Sequence, residues 1–426
     1  MSNSKGCNIG FVSTRFAGTD GVTLETHKWV HILNEMDYTC YFFAGECEYP
    51  QERSYVVEEA HFDHPEIRAI TKDLFDDYSR TRDTSEKIHS LRHYLKGHLY
   101  QFIEQFDIDL LVVENALAIP MNIPLGLAIT ELGAETNLPI IGHHHDFSWE
   151  RSRFKVSAAS DFQMGSFPPI LPSFHHVVIN SYASRQLSLR TGDSSTLIPN
   201  VMDFDNPPPE PDGYAGDLRA EFDIEPDQYL LLQPTRIVPR KRIELAIELS
   251  RRLSLNNVLM ITHSAGDEGL DYETYLRNHA ELSQVRVIFA SDRFGYRRGA
   301  TPEGKKIYSL ADAYQNSDLV TYPSTVEGFG NAFLEALYYK KPIVLSTYEI
   351  YNIDIAPKGF DVGKFGSFIT TDTVQQCEEL LKNPGKTADI VERNYKIGRR
   401  YYSYQVLEKK LEALLNEALG LPNNKD

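Results

Sequence analysis

Short apolar runs rich in strand formers alternate along this chain with segments whose apolar residues recur every three or four positions, and the alternation runs through twice. Strands separated by helices cannot pair as tight hairpins. Each helix carries the chain back to the same end of the sheet, so the architecture open to such a sequence is a parallel sheet with helices on both faces. In the first series, residues 7–14, 38–44, Leu110–Glu114, 139–145 and 176–181 read as strands. Trp29, Ile32, Leu33 and Met36 fall on one face of a helix, and Ile123–Thr136 forms another. The stretch 51–100 is charged and aromatic, more helical than strand-like, and has no clear element.

The series stops at Asn206 to Gly213, where Pro207, Pro208, Pro209 and Pro211 remove the donors that a helix or sheet interior needs. That segment reads as an extended, stiff linker. Beyond it the alternation restarts, with strands at 229–233, 258–262, 285–289, 319–321 and 343–346 and helices at 242–253 and 272–282. The expected fold is therefore α/β with two Rossmann-like domains, an N-terminal one over 1–205 and a second over 206–395. A C-terminal helix is expected over 396–426; its stripe of Leu407, Leu411, Leu414, Leu415 and Ala418 needs a surface, which the N-terminal domain can supply.

The 426 residues carry 43 Lys and Arg against 60 Asp and Glu, a net charge of −17. Such a chain repels nucleic-acid backbones and anionic membranes, and an anionic ligand must be met by a local basic cluster. The most apolar window, 108–130, is interrupted by Asp109, Glu114, Asn115, Pro120, Asn122 and Pro124, so it does not make a membrane span. The first ten residues lack the pattern of a signal peptide. Four cysteines, Cys7, Cys40, Cys47 and Cys377, set neither a disulfide framework nor a metal-site spacing, which points to small core residues in a reducing cytoplasm.

Three constellations carry chemistry. After the strand 319–321, Gly328, Gly330 and Asn331 sit where a helix begins, and a helix N-terminus fringed by small residues is a natural phosphate cradle. Glu327 precedes that helix and Glu335 lies one turn inside it; carboxylates beside a diphosphate suit sugar hydroxyls. Arg236, Arg240, Lys241 and Arg242 follow the strand 229–233, at the end of a parallel strand where ligands bind. This is the cluster the net charge demands. In the first domain, His143, His144 and His145 end a strand. Alternation places His143 and His145 on one face and His144 on the other, so the three cannot share one metal, and no further ligands stand at a usual spacing. Asp146, Arg151 and Arg153 extend this rim, and the two arginines suit an anionic acceptor.

Together these segments resemble the retaining glycosyltransferases of family four, which have the GT-B fold of two Rossmann-like domains facing each other across a crevice. Glu327 to Glu335 is similar to the family's E-x7-E motif, residues 139–146 to its strand ending in a ligand-contacting His, and residues 198–203 to its interdomain segment. Arg236 and Lys241 match its phosphate-binding pair, and the loop 18–21 resembles its first glycine-rich loop. The chain departs from the pattern where Thr19 and Asp20 precede Gly21, where residues 263–267 lack close glycines, and where 294–306 is inserted.

The resemblance implies that Arg236 and Lys241 neutralise the departing diphosphate, and that Glu335 binds a ribose. Glu327 would bind a hydroxyl of the donor sugar and His145 would contact that sugar near its reacting carbon. Gly21, Gly328, Gly330 and Asn331 would add donor contacts, Arg293 would stand near the nucleobase, and Asp146, Arg151 and Arg153 near the acceptor. The implied activity is metal-independent, retaining transfer of a hexose from a nucleotide diphosphate sugar, of the GDP-mannose or UDP-glucose type, to a small soluble sugar or sugar acid. No cofactor is expected. Cations and helix amides would stabilise the leaving phosphate, which would itself take the acceptor proton. Closure across the Pro-rich segment would exclude water. A sugar phosphorylase and a non-catalytic nucleotide-sugar-binding protein are the alternatives. The Asp-x-Asp triplets at 107–109 and 203–205 read as structural.

Overall fold

A computed structural model of the protein describes residues 6–18, 20–265 and 270–420. The chain divides into two compact units, one running to Asn200 and taking back the chain from Tyr404, the other Val201–Ser403.

The first unit is built on seven parallel strands: β1 (Asn8–Val12), β2 (Thr39–Ala44), β3 (Ser54–Val56), β4 (Leu110–Glu114), β5 (Ile140–His144), β6 (Phe174–Val178) and β7 (Thr196–Leu197). Their order in the sheet is β3-β2-β1-β4-β5-β6-β7, so the chain starts in the middle and winds outward in both directions. Helices α1 (Gly21–Glu35), α2 (Pro65–Phe75), α3 (Arg82–Phe106), α4 (Ile123–Thr136), α5 (Ser160–Ser166) and α6 (Ser181–Thr191) join them. The unplaced stretch 51–100 resolves into β3, α2 and most of α3. Thr81 caps α3 by accepting from the Thr84 amide, and Ile88, Leu95, Leu99 and Phe102 form its single buried stripe against α4.

The second unit holds a six-stranded parallel sheet. Its strands are β8 (Tyr229–Gln233), β9 (Asn257–Ile261) and β10 (Val287–Phe289), then β14 (Leu319–Tyr322), β15 (Ile343–Ser346) and β16 (Gly363–Phe365), in the order β10-β9-β8-β14-β15-β16. Between β10 and β14 a small sheet of β11 (Phe294–Gly295), β12 (Gly299–Ala300) and β13 (Lys306–Ser309) occupies the segment read as an insertion. Helices α7 (Leu218–Glu221), α8 (Ile243–Arg252), α9 (Leu270–Leu282), α10 (Leu310–Asn316), α11 (Asn331–Tyr338), α12 (Thr371–Lys382) and α13 (Pro384–Tyr402) complete it. The final helix, α14 (Tyr404–Ala418), belongs to the first unit, where Leu407, Leu411, Leu414 and Leu415 are buried and the helix packs on α1. Among the described residues no helix is long and apolar enough to cross a membrane.

Two boundaries differ from the sequence reading. The Pro-rich segment is not the connection between units. The crossing falls at Asn200, and residues 201–205 already pack in the second unit, where the Phe204 ring lies against Gly398 and the Phe204 backbone carbonyl accepts from the Tyr395 hydroxyl at 2.8 Å. The Pro-rich segment itself is sewn down. Gln315 donates to the Pro209 carbonyl at 2.8 Å, and Asp212 accepts from the Tyr214 and Ala215 amides and from Arg298. Likewise the last helix does not start at 396. Residues up to Tyr402 continue α13, and the break comes at Ser403, whose extended backbone ends that helix.

Arg298, from the inserted sheet, bridges Asp212 and the fully buried Asp312, which also accepts from the Ser309 amide and hydroxyl to cap α10. Replacing Arg298 by Met should strand the Asp312 charge. Because the guanidinium is itself part-exposed, with 35% of its side chain accessible, a loss of about 2 kcal/mol is expected, below the range for a wholly buried pair. A lowered urea midpoint for the second unit checks this.

Candidate functional site

In the second unit the parallel ladder puts the carboxyl ends of β8 and β14 side by side, with Leu319 opposite Leu231 and Val320 opposite Leu232. The loops that leave these ends are the basic segment 236–242 and the segment 323–330. They are zipped together. The Arg240 carbonyl accepts from the Thr325 amide at 3.0 Å and hydroxyl at 3.1 Å, while the Arg240 guanidinium donates to the Val326 carbonyl at 3.2 Å. Beneath them Gln233, wholly buried, donates to Thr235 Oγ1 at 2.7 Å and accepts from Thr321 Oγ1 at 2.8 Å.

The result is a buried ion pair between Lys241 and Glu327, with Arg240 3.4 Å from the other carboxylate oxygen. Burial disfavours both charges. It pulls the Lys241 pKa down against the pull of Glu327, whereas Lys241 and Arg240 overcome the burial of Glu327 and hold its carboxyl below the usual range. Glu327 is therefore ionised at neutral pH, and its charge opposes the burial that lowers Lys241. Lys241 also lies 5.3 Å from the centre of the Tyr322 ring. Arg236 is exposed and forms no ion pair among the described residues. Next to it, the Ile237 amide donates to the Ser264 carbonyl at 3.1 Å, and burial together with Lys241 and Arg236 drives the His263 pKa down to about 4.

Gly330 opens α11 with φ of 120°, no side chain caps the helix, and a Cβ at Gly330 would stand 2.5 Å from the Tyr348 hydroxyl. That hydroxyl donates to the Phe329 carbonyl at 2.8 Å, which fixes the turn carrying Gly328, Gly330 and Asn331. One turn further on, Glu335 accepts from the buried Tyr314 hydroxyl at 2.8 Å. The helix dipole, Arg236, Arg240 and Lys241 thus bring positive potential to one sheet edge, with two carboxylates held in place beside it.

The first unit has its own polar centre. Glu114 ends β4, and the ladder sets it opposite His143 on β5. Its Oε2 lies 2.9 Å from His143 Nδ1 and 3.2 Å from His145 Nε2. An ionised carboxylate only accepts, so each of those nitrogens carries a hydrogen. His143 is covered by the stacked Trp29 ring, 4.2 Å between centroids. His144 points to the opposite face and meets His176 at 2.9 Å, as the strand alternation requires. Burial raises the Glu114 pKa, but His143 and His145 outweigh it and bring the carboxyl down to about 2. Burial lowers His145, yet Glu114, helped by Glu25 and Asp146, raises its pKa above the ordinary value; for His143 burial wins and the ring stays neutral. Among the described residues, Glu114, His143 and His145 also form a set whose ligand atoms lie within 4.8 Å of one another, a spacing that would admit a metal ion. Asn115, at φ of 59°, accepts from the His145 amide at 3.0 Å and donates to Asp146 Oδ1 at 3.0 Å.

Some expected contacts fare differently. Asp146 is paired with Arg151, and Arg153 stacks on Phe154 at 4.5 Å. Gly21 begins α1, but Asp20 caps that helix, its carboxylate accepting from the Val22 and Thr23 amides and from Arg15. An acid at that position displaces the anion cradle expected of the loop. Thr19 in that loop, and Gly266 and Asp267 in the loop 263–267, lie outside the described residues. Arg293 is buried, donating to the Lys306 carbonyl at 2.6 Å and pairing with Glu221 at 2.9 Å; the guanidinium anchors the inserted sheet instead of reaching for a base. Glu114, Asn115, Gln233 and Tyr314 are contributors that the sequence reading passed over. A lone Glu-Asn pair ending an apolar run was the signal for the first two.

The family model described as Glycosyl transferases group 1 matches residues 304–396. Over most of its length the chain is similar to the mannosylglucosylglycerate synthase of Petrotoga mobilis, 31% identical over 392 residues covering 84% of this chain and 86% of that one. The mannosylglucosylglycerate synthase of Thermotoga maritima is likewise 31% identical over 440 residues, covering 94% and 97%. The chain belongs to the group 1 glycosyl transferases. Its fold, the GT-B pair of Rossmann-like domains, matches a solved glycosyltransferase from Rickettsia africae at a TM-score of 0.70 and 12% identity, covering 99% of this chain and all of the other.

Two measurements follow from the geometry of this glycosyltransferase. Gly330→Ala should destabilise the second unit by about 2 kcal/mol, since a side chain at that φ is strained and Tyr348 must move; chemical denaturation checks it. Glu114, its carboxyl depressed to about 2 from an unfolded value near 4.5, stabilises the first unit fully above that unfolded value. The contribution is lost as pH falls toward 2. The stability difference between wild type and Glu114→Gln should therefore shrink on acidification through that window.

Proposed function

We propose that this protein is a metal-independent, retaining hexosyltransferase of the family-four type. It moves a hexose from a nucleotide diphosphate sugar to a small acceptor that carries a sugar and a carboxylate. The observation that carries the reading is the zipped edge of the second unit, where Arg236, Arg240 and Lys241 meet an uncapped α11 and the paired Glu327 and Glu335. The similarity to the two mannosylglucosylglycerate synthases favours a mannosyl group and a glucosylglycerate acceptor.

In this reading the donor diphosphate lies on the start of α11, against Arg236 and Lys241. Breaking the bond to the leaving phosphate builds negative charge there, and fixed cations and oriented amides stabilise that charge without reorganising. Lys241 is held for the task by Glu327, so its ammonium is already desolvated and oriented before a donor arrives. Glu327 faces the donor sugar hydroxyls and Glu335, steadied by Tyr314, the ribose. The acceptor hydroxyl attacks from the face the diphosphate leaves, and the departing phosphate oxygen takes its proton. His145 contacts the donor sugar, and Arg151 and Arg153 meet the acceptor carboxylate.

Because nucleotide binding stabilises the native state by RT ln(1 + [L]/Kd), a melting panel of GDP, UDP and ADP with their sugars identifies the donor first. Incubation of that donor with glucosylglycerate, followed by mass spectrometry and anomeric NMR of the product, then tests transfer and retention. Lys241→Ala should lower kcat/KM by about a hundredfold or more, Glu335→Ala should weaken nucleotide binding, and turnover should persist in EDTA. Unchanged turnover and nucleotide affinity in both variants would sink the assignment.

A further inference from the structure

Glu114 spends one oxygen on two rings. Oε2 accepts from His143 at 2.9 Å and from His145 at 3.2 Å, while Oε1, equally buried, has no hydrogen-bond partner among the described residues. A carboxylate at 1% exposure with an oxygen left unsatisfied is a costly thing to keep in a core. A purely structural network would satisfy both oxygens or use an amide. The neighbouring Asn115 makes the same point from the backbone: a non-glycine residue at φ of 59° binds the His145 amide and the Asp146 carboxylate with its own side chain. Two consecutive residues at the end of β4 thus converge on His145, one on its ring and one on its backbone.

We propose that Glu114 is the positioning residue for His145. It fixes the ring plane and commits Nε2–H to the carboxylate, leaving Nδ1 as the nitrogen available to a ligand, while Asn115 fixes the backbone that carries the ring. This rests on the reading that His145 touches the donor sugar. The charged groups facing His145 are Glu114 on β4, Glu25 on α1, and Asp146 next to it; His143 is its neutral neighbour on β5. Glu25 is itself paired with Lys28 and Asp146 with Arg151, so Glu114 is the carboxylate whose charge the imidazole answers. His143, neutral and clamped by Trp29, holds the carboxylate from the other side.

The experiment combines kinetics with histidine-selective nitrogen NMR. In the wild-type protein, with the His145 signals assigned by their loss in His145→Gln, Nε2 should carry a hydrogen that exchanges slowly. The ring should titrate above the ordinary histidine range, and the signals should move when the nucleotide sugar is added. In Glu114→Gln the titration should drop and kcat should fall about tenfold or more with the donor KM nearly unchanged, the mark of a group acting in the transition state. Glu114→Asp, which keeps the charge but shortens the reach, should restore the titration in part and kcat less. The wild-type spectrum needs no variant of Glu114 to fold. A His145 with hydrogen on Nδ1 alone overturns the proposal, as does a Glu114→Gln enzyme with wild-type kcat and pH profile and only a lower melting temperature. Stoichiometric divalent metal in the purified protein, lost in that variant, also overturns it. Failure to find transfer with any donor would undo the functional reading, yet the titration and its response to Glu114→Gln would still show whether the carboxylate governs the ring.

Discussion

The parallel hydrogen-bond ladder is the constraint from which both polar centres follow. In an all-parallel sheet every strand ends at the same edge, and each strand is buried on both faces along its length, so polar side chains are admitted mainly where strands run out. In the first unit this sets Glu114 opposite His143, and in the second it sets the loop after β8 beside the loop after β14. Residues 86 positions apart, Lys241 and Glu327, become an ion pair through that adjacency.

The two centres handle charge in different ways. Around Lys241 and Glu327, cations outnumber carboxylates, and the start of α11 adds its own partial positive charge. This is the local excess that a chain of net charge −17 must build if it is to hold an anion. Around Glu114 the balance is struck inside the core, where one ionised carboxylate faces two imidazoles, His145 with its pKa raised and His143 with its pKa lowered by burial. Both arrangements leave a charged group desolvated and pre-oriented. Removing a partner from such a pair costs more than the pair itself contributes, because the survivor cannot reach water.

Much of this was legible in the chain. Periodicity alone placed β4 and α4 residue for residue, since an apolar run bounded by turn formers and a helix capped by Asn122 are local features. The long helix α3 escaped because its buried stripe of Ile88, Leu95, Leu99 and Phe102 is thin among charged residues; only contact with α4 makes it a core face. Four prolines marked a break correctly in conformation and wrongly in role. Proline fixes the local backbone, but whether a stiff segment links units or lies along one is decided by partners such as Gln315 and Arg298.

By itself the sequence determined the layered α/β architecture, the basic loop at Arg236 to Arg242 and the glycine-opened helix with its two glutamates, because short-range patterning and spacing encode them. Tertiary structure alone decided which of these groups meet. Arg293 turned inward to Glu221, and Glu114 took possession of His145. Each of those outcomes is a choice among charged partners tens of residues away, made by strand register and by the cost of leaving any charge alone in the core.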